Sequence, residues 1–377
     1  MNLQKHFTEV KDFRVKGRCL HELSDILIII LLGTLADCSD FTEIEDYAKD
    51  KEVFLKEELG LLLLGGIPSE DTLSRVVRFL KPTALEKSLR SVCKEILETV
   101  EQKHIRIDGK EIRGTIPFGK KHATVQIVSA WLSEESISFG QVQVDKKSNE
   151  ITAIPRLLDD LDCEGGIISI DAIGCQKVII EKIIDKQADY IIALKENQSE
   201  LFQQINEYLE KNKSQLPRFE QLNKDHGRGE KRVVYATKRV DYLDAADSWK
   251  QLNSIVLVES TRIVNNKEST HKRIYISSLT DDSPEKYAKL IRQHWGIENG
   301  LHWHLDLTFR EDDSRVRKDN GPMNLNIFRK FGLFLLTHQP SKISLKRKRK
   351  KAARDKDRKS TRLNSSHPRL SRMPSSA

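Results

Sequence analysis

Residues 166–194 read GIISIDAIGCQKVIIEKIIDKQADYIIAL. The stretch opens on I-I-S-I, a short apolar run of strand character that ends at Asp171. Over residues 175–186 the apolar positions return at helical spacing, and 189–194 is again strand. Strand, amphipathic helix and strand in close succession imply a mixed α/β sheet. Upstream lie three closely spaced strand-like runs, at 104–108, 123–131 and 137–144, which read as an antiparallel meander, followed by a helix at about 150–161. Downstream, a helix at 199–212 gives way to the alternating runs R-V-V-Y-A-T, S-I-V-L-V-E-S and H-K-R-I-Y-I-S-S-L. These form a β-rich insertion over about 213–280, after which helix resumes at 284–303 and again, strongly apolar, at 324–337.

The first 98 residues read differently. They are helical, with a buried helix at 20–36, amphipathic spacing at 41–59, and I-P-S-E-D-T-L at 67–73 as a helix start with Ser69 as N-cap. The helix at 71–80 carries Arg75 and Arg78, so this N-terminal helical domain suits either DNA binding or plain packing on a neighbouring core. The sheet-forming part then spans 99–340, with its last apolar helix expected to close the core. A basic segment, 341–356, contains K-R-K-R-K-K from Lys346 to Lys351. Residues 357–377 have no apolar periodicity, and D-R-K-S-T-R-L-N-S-S-H and S-R-M-P-S-S-A resemble the translation of a sequencing-library adapter, so a non-native tail is expected there.

Composition narrows the function classes. The 377 residues carry a net charge of +8, which suits a polyanionic partner. Five cysteines, at 19, 38, 93, 163 and 175, form no C-x-x-C pair. A disulfide framework and a zinc finger are thereby disfavoured, and a reducing, cytoplasmic setting is expected. The most apolar run, 26–36, is too short to span a bilayer, so no membrane association is expected.

Three acids stand in positions that carry chemistry. Asp108 ends I-R-I-D, Asp171 ends I-I-S-I-D, and Glu298 sits inside R-Q-H-W-G-I-E-N-G-L-H-W-H at 292–304. Two strand-end aspartates and a helical glutamate make the carboxylate set of a two-metal phosphoryl-transfer site, in which ions about 4 Å apart stabilise the attacking and leaving oxygens. Hard oxygen donors suit Mg²⁺, and α/β sheets gather ligands at strand ends. On the helix, Leu301 and Leu305 would pack on the sheet while Trp295 and Trp303 wedge it in place. Each residue also has a structural reading: Asp108 before Gly109 as a turn residue, Asp171 as a helix N-cap, Glu298 as partner of Arg292 or Arg310. His294, Glu298 and His302 at one-turn spacing form an alternative zinc cluster, disfavoured by the absence of H-E-x-x-H. Glu311, Asp312 and Asp313 compete for the third acidic place but read as solvated surface.

Longer motifs add a resemblance. D-G-K-E-I-R-G at 108–114, I-D-A-I-G-C-Q at 170–176, A-L-K-E-N-Q at 193–198 and H-W-G-I-E-N-G-L-H-W at 294–303 closely resemble the ISAs1 family of insertion-sequence transposases, the H-repeat-associated proteins. D-F-R-V-K-G-R and G-I-P-S-E-D-T-L look like that family's N-terminal associated domain, and H-G-R-G-E-K-R at 226–232 resembles a basic motif of its insertion. The likeness runs from about residue 8 to Arg354. It implies an RNase H-like catalytic domain with a DDE triad at Asp108, Asp171 and Glu298, holding two Mg²⁺ or Mn²⁺ ions. It further implies cleavage of double-stranded DNA at an element's terminal inverted repeats, attack of the freed 3′-hydroxyl on target DNA, and a homo-oligomer in the DNA complex.

The related IS4-type signature sets Tyr, Arg and Lys around the glutamate. Here Ile291, His294 and Leu305 stand in those places. Candidate DNA-binding residues are Lys110, Arg113, Lys195, His226, Arg228, Arg292 and His294, with Lys231 and Arg232 beside them in the insertion. Two alternatives keep the fold: a domesticated or inactive copy that binds DNA without cutting it, and a nuclease that does not join strands.

Overall fold

The computed structural model describes residues 3–354 except 16, 97–102, 117–123, 133–134, 146–147, 226–227, 245, 265–266 and 282. The adapter-like tail therefore lies outside the described residues. Two compact units divide the chain, Met1–Thr99 with Leu307–Ala377, and Val100–Asp306. The first unit begins with α1 (Leu3–Thr8), α2 (Leu23–Leu35), α3 (Phe41–Asp50), α4 (Glu52–Glu57), α5 (Glu70–Phe79) and α6 (Pro82–Ile96). The second contains β1 (His104–Ile112), β2 (Val125–Leu132), β3 (Ile137–Gln143), α7 (Glu150–Asp159), β4 (Ile167–Ile170), α8 (Lys177–Asp185) and β5 (Asp189–Leu194). It continues through α9 (Ser199–Asn212), β6 (Arg218–Asp225), β7 (Arg228–Thr237), β8 (Ser254–Val264), β9 (Lys267–Ser277) and α10 (Pro284–His294). The first unit is completed by α11 (Gly321–His338) and α12 (Leu345–Arg354).

Among the described residues one nine-stranded sheet forms, in the order β3-β2-β1-β4-β5-β9-β8-β7-β6. The pairs β1–β2 and β2–β3 are antiparallel, while β1–β4 and β4–β5 are parallel. Three antiparallel strands followed by two parallel ones, with β1 central, is an RNase H-like sheet. The expected β-rich insertion does not stand apart from it. β9 pairs antiparallel along β5, from Ile191↔Ser277 to Leu194↔Ile274, and β8, β7 and β6 follow as a meander. The apolar edge I-I-A-L would otherwise offer open hydrogen-bonding groups, and β9 covers it. On the face presented by Ile191, Val256, Val258 and Tyr275, α10 packs through Tyr287, Leu290 and Ile291.

In the helical unit, α2 is apolar all round, and Ile26, Leu27, Ile29, Ile30 and Leu31 are fully buried. Each contributes about 1.5–3 kcal/mol of transfer free energy. α5 starts where the S-E-D-T-L reading places it, but Ser69 does not cap it. The Ser69 hydroxyl bonds the Thr72 hydroxyl, and the Glu45 carboxylate accepts the first-turn N–H of Glu70 at 2.6 Å. α11, expected to close the sheet's core, packs instead against α2, α5 and α6. Its Asn324 amide donates to the carbonyls of Val77 (2.7 Å) and Leu80 (2.9 Å), satisfying the open end of α5. An apolar helix carries no mark of which core it joins; here Asn324 ties α11 to the end of α5, while its Asn326 and Arg329 bind Glu311.

Candidate active site

β1 lies between an antiparallel and a parallel neighbour, and this arrangement positions Asp108. Its parallel register with β4 ends at Ile107↔Ile170, while pairing with β2 continues through Asp108↔Ser129 to Ile112↔Val125. Asp108 therefore stands where the parallel ladder stops, although the strand itself runs four residues beyond the expected end. Asp171 follows β4 directly, one position past the last parallel pair. Its carboxylate accepts the Ile173 N–H at 3.1 Å and caps the short turn Ala172–Gly174. The N-cap role is thus present, and it does not conflict with the expected catalytic one. The A-L-K-E-N-Q stretch supports the same loop: Asn197 donates to the Ala172 carbonyl (2.9 Å) and Gln198 to that of Cys175 (2.8 Å).

Glu298 enters on irregular helix. After α10 the chain turns at Trp295 and continues in two π-helical turns, Glu298–His302 and His304–Thr308. π turns recur at functional sites. Ile297, Leu301 and Leu305 are buried at four-residue spacing and form the packing stripe, as expected for the two leucines. The tryptophans do not wedge the helix. Trp295 and Trp303 are 39% and 50% exposed, because each lies two residues off the buried stripe. Trp295 instead holds the Arg273 guanidinium 4.6 Å from its ring centre.

Asp108 is the focus of the local field. Burial pushes its carboxyl up to about 7, and the charges of Asp171, Glu150 and Glu298 push the same way, against the Gly109 N–H that it accepts at 2.9 Å. Its other oxygen faces His302 Nδ1 at 3.6 Å. The set shares a field rather than a closed cage: among the described residues no three His, Cys, Asp or Glu side chains are drawn together tightly enough to grip an ion. As donors they are all carboxylate oxygens, the chemistry of a hard divalent cation, and their mutual repulsion is what such a cation relieves.

Glu150 is the member that sequence reading missed. It opens α7, where an acid in the first turn is ordinary helix chemistry and gives no signal of anything more. Its carboxyl is raised by burial, then by the charges of Asp171 and Glu111. A Cβ built on Gly109 would meet Glu150 Oε1 at 2.0 Å, so the residue after Asp108 must be glycine for the carboxylate to lie there. The atoms met are the far end of a flexible side chain, so Gly109→Ala is expected to swing the Glu150 carboxylate aside at little cost in stability. Urea unfolding should show a midpoint close to wild type, and a second-site Glu150→Ala should remove what difference there is.

Behind the acids lies a buried polar chain. Ser169 on β4 bonds His104 Nε2 and His294 Nδ1, each at 2.9 Å, and His104 Nδ1 meets Gln293 Oε1 at 3.3 Å. This chain registers α10, and with it the Glu298 segment, onto the strands that carry Asp108 and Asp171. Burial and the neighbouring Arg106 charge hold His294 down at about 4, so it is a neutral bridge. His294 is thus enclosed and engaged, which does not suit the expected DNA contact. Its Nδ1 is taken by Ser169 while His302 faces Asp108, and among the described residues no His, Cys, Asp or Glu cluster of the alternative zinc type is found. Ile291 and Leu305, which stand with His294 at the variant signature positions, are buried too. All three signature departures lie at packing positions.

The remaining basic candidates separate clearly. Lys195 follows β5 and Arg292 lies on α10; both are exposed, with no ion-pair partner among the described residues. Arg113 is exposed at the end of β1. Lys110 is bound to Asp306 at 2.6 Å and nearly enclosed, so it braces the π-helical segment rather than presenting a free charge. In the insertion, His226 lies outside the described residues, Arg228 opens β7, Lys231 pairs with Glu220 at 2.8 Å, and Arg232 pairs with Glu230 at 3.0 Å. Lys231 reaches across to β6, whereas Arg232 and Glu230 pair along β7 itself. The competing acid Glu311 is fully buried against Asn326 (2.9 Å) and Arg329 (3.3 Å), a core ion pair rather than solvated surface.

Comparison with known proteins adds the family. Residues 100–335 match the "Transposase DDE domain" family model, and residues 4–92 match the "DDE_Tnp_1-associated" model. "Putative transposase YncI" of Escherichia coli O157:H7 is 37% identical over 360 residues, covering 93% of this chain and 92% of that protein. "H repeat-associated putative transposase YhhI" of Escherichia coli K12 is 34% identical, covering 94% of this chain and 96% of that protein. A piggyBac transposase in a synaptic complex with hairpin DNA aligns at TM-score 0.40 and 13% identity, covering 93% of this chain and 75% of that one. The chain belongs to the family of DDE insertion-sequence transposases.

Proposed function

We propose that this chain cuts the ends of a mobile element and joins them to target DNA, with Asp108, Asp171 and Glu298 as its catalytic acids. The observation that supports this most is the convergence of the Asp171, Glu150 and Glu298 charges on Asp108, beside the ends of the parallel strands. Asp108, Asp171 and Glu298 would hold two divalent ions, Mg²⁺ or Mn²⁺. When bound, such ions lower the pKa of attacking water and stabilise the attacking and leaving oxygens. The chain's own residues then set geometry. Gly109 N–H bonds one oxygen of Asp108 while His302 faces the other at 3.6 Å, and the turn N–H of Ile173 bonds Asp171. Lys195, Arg113 and Arg292 would position phosphates without reading bases. In cleavage, water oxygen bonds to phosphorus and the 3′-oxygen leaves. In joining, that 3′-oxygen attacks a target phosphodiester and displaces another 3′-oxygen. The partners are terminal inverted repeats and target duplex, with two or more copies of the chain pairing the ends.

The test uses the full chain, a labelled duplex carrying the terminal repeats that flank its gene, and a target plasmid. With Mg²⁺ or Mn²⁺, nicked ends and joined products are expected; with EDTA, neither. Cleavage without joining would replace the reading by a nuclease, and binding without either product would make this copy an inactive one. No described helix is long and apolar enough to cross a membrane.

A further inference from the structure

The basic segment near the C-terminus is a docked helix with two kinds of cation. α12 reads L-K-R-K-R-K-K-A-A-R and contains no acid. Lys348 and Arg349 are 8% and 3% exposed. Lys348 Nζ donates to the carbonyls of Leu336 and Gln339, both at 2.7 Å, where a cation suits the end of α11. Arg349 pairs with Asp37 at 2.7 Å, donates to the carbonyls of Thr34 (2.7 Å) and Thr308, and lies 4.4 Å from the ring centre of Phe309. These two residues seat the helix within its unit.

The other cations face outward. Lys346, Arg347, Lys350, Lys351 and Arg354 are exposed and have no ion-pair partner among the described residues. They fall at i, i+1, i+4, i+5 and i+8, one stripe along about 12 Å of helix. Like charges at i,i+4 weaken a helix by about 0.2–0.5 kcal/mol per pair. Here the two buried cations hold the stripe in place in spite of that cost. We propose that this face of α12 is a duplex-DNA surface that contacts phosphates without reading sequence. Duplex DNA presents one negative charge per about 1.7 Å of axis, so several phosphates lie within the length of the stripe. The proposal deepens the DNA-binding part of the reading above and rests on it for the choice of polyanion.

The test measures binding in EDTA, where cleavage plays no part, with element-end and unrelated duplexes over a series of KCl concentrations. Lys346→Gln, Lys350→Gln and Arg354→Gln are combined in the full chain, with Lys348 and Arg349 retained. Each lost phosphate contact lowers the slope of log affinity against log salt by about 0.9, so the triple variant should lose about 2–3 and bind both duplexes roughly tenfold or more weakly. The Lys346→Gln, Lys350→Gln double variant should lose about two thirds of that slope change, which guards against a folding defect in the triple. Lys49→Gln, Lys56→Gln and Lys87→Gln, an equal loss of charge elsewhere in the helical unit, should leave the slope unchanged. An unaltered slope in the α12 variants, an equal effect in the control, or loss of binding only to phosphatidylserine vesicles would overturn the proposal. Failure of the wild-type chain to bind any duplex would instead strike the transposase reading.

Discussion

Asp108→Asn, Asp171→Asn and Glu298→Gln, each made in the full chain, should leave duplex binding intact and lower end cleavage by about 10³-fold or more, since divalent-ion stabilisation of transition-state charge is worth several kcal/mol. The amides keep the shape of the side chains, so the packing around them survives. What they remove is charge at a shared focus. Asp108 stands on the central strand and feels the other carboxylates, so its loss dismantles the focus itself. Asp171 is also a cap, and asparagine still accepts the Ile173 N–H, which separates loss of charge from loss of the turn. Glu298 is exposed on a π turn whose inward face is Ile297, Leu301 and Leu305, so its substitution should leave the fold untouched. Glu150→Gln should be milder, because Glu150 lies over Gly109 and outside the proposed triad. The measurement is single-turnover cleavage of a labelled element end with Mg²⁺. Undiminished cleavage by Glu298→Gln would move the third catalytic place to another acid, with Glu150 first in line.

Much of this arrangement is legible in the sequence, because period and punctuation carry it. I-R-I-D and I-I-S-I-D announce strands that deliver aspartates, and the structure sets those strands side by side. Helix α9 and strand β5 fall where their patterns put them. What stays hidden depends on partners that are distant in sequence. Lys110 looks like a free charge until Asp306, nearly two hundred residues on, is seen against it. His294 looks like a surface ligand until Ser169 claims its ring. Glu150 is indistinguishable from any acid at a helix start until Gly109 is found beneath it. The π turns after Trp295 are invisible to a 3.6-residue template, whereas the outward position of the tryptophans follows from their two-residue offset from Ile297, Leu301 and Leu305. Ser169 is the kind of residue that reads as a strand filler yet joins two histidines.

The field at Asp108 also makes a prediction about stability in the absence of metal. Its carboxyl ionises near 3.8 in the unfolded chain and at about 7 in the folded one. The folded state therefore holds a proton that the unfolded state has lost, and stability falls as pH rises between those values. The sign is opposite to that of a salt-bridged carboxylate. Below about pH 4 both states are protonated and the penalty is absent; above about 7 both are ionised and it is complete. Because the side chain is 28% exposed, the full shift overstates the cost, and about 2–4 kcal/mol is the expected range. All four tryptophans lie between residues 131 and 303, so their fluorescence follows the sheet unit alone during urea unfolding. In EDTA at pH 8, Asp108→Asn should unfold at higher urea than wild type, with the gap closing as pH falls towards 4. Adding Mn²⁺ at pH 8 should raise the wild-type midpoint more than the variant's, because only the wild type holds the buried Asp108 charge, which burial and then its carboxylate neighbours disfavour. Equal midpoints for the two proteins at pH 8 without metal would mean that the carboxylates do not act on one another, and the shared site would lose its electrostatic basis.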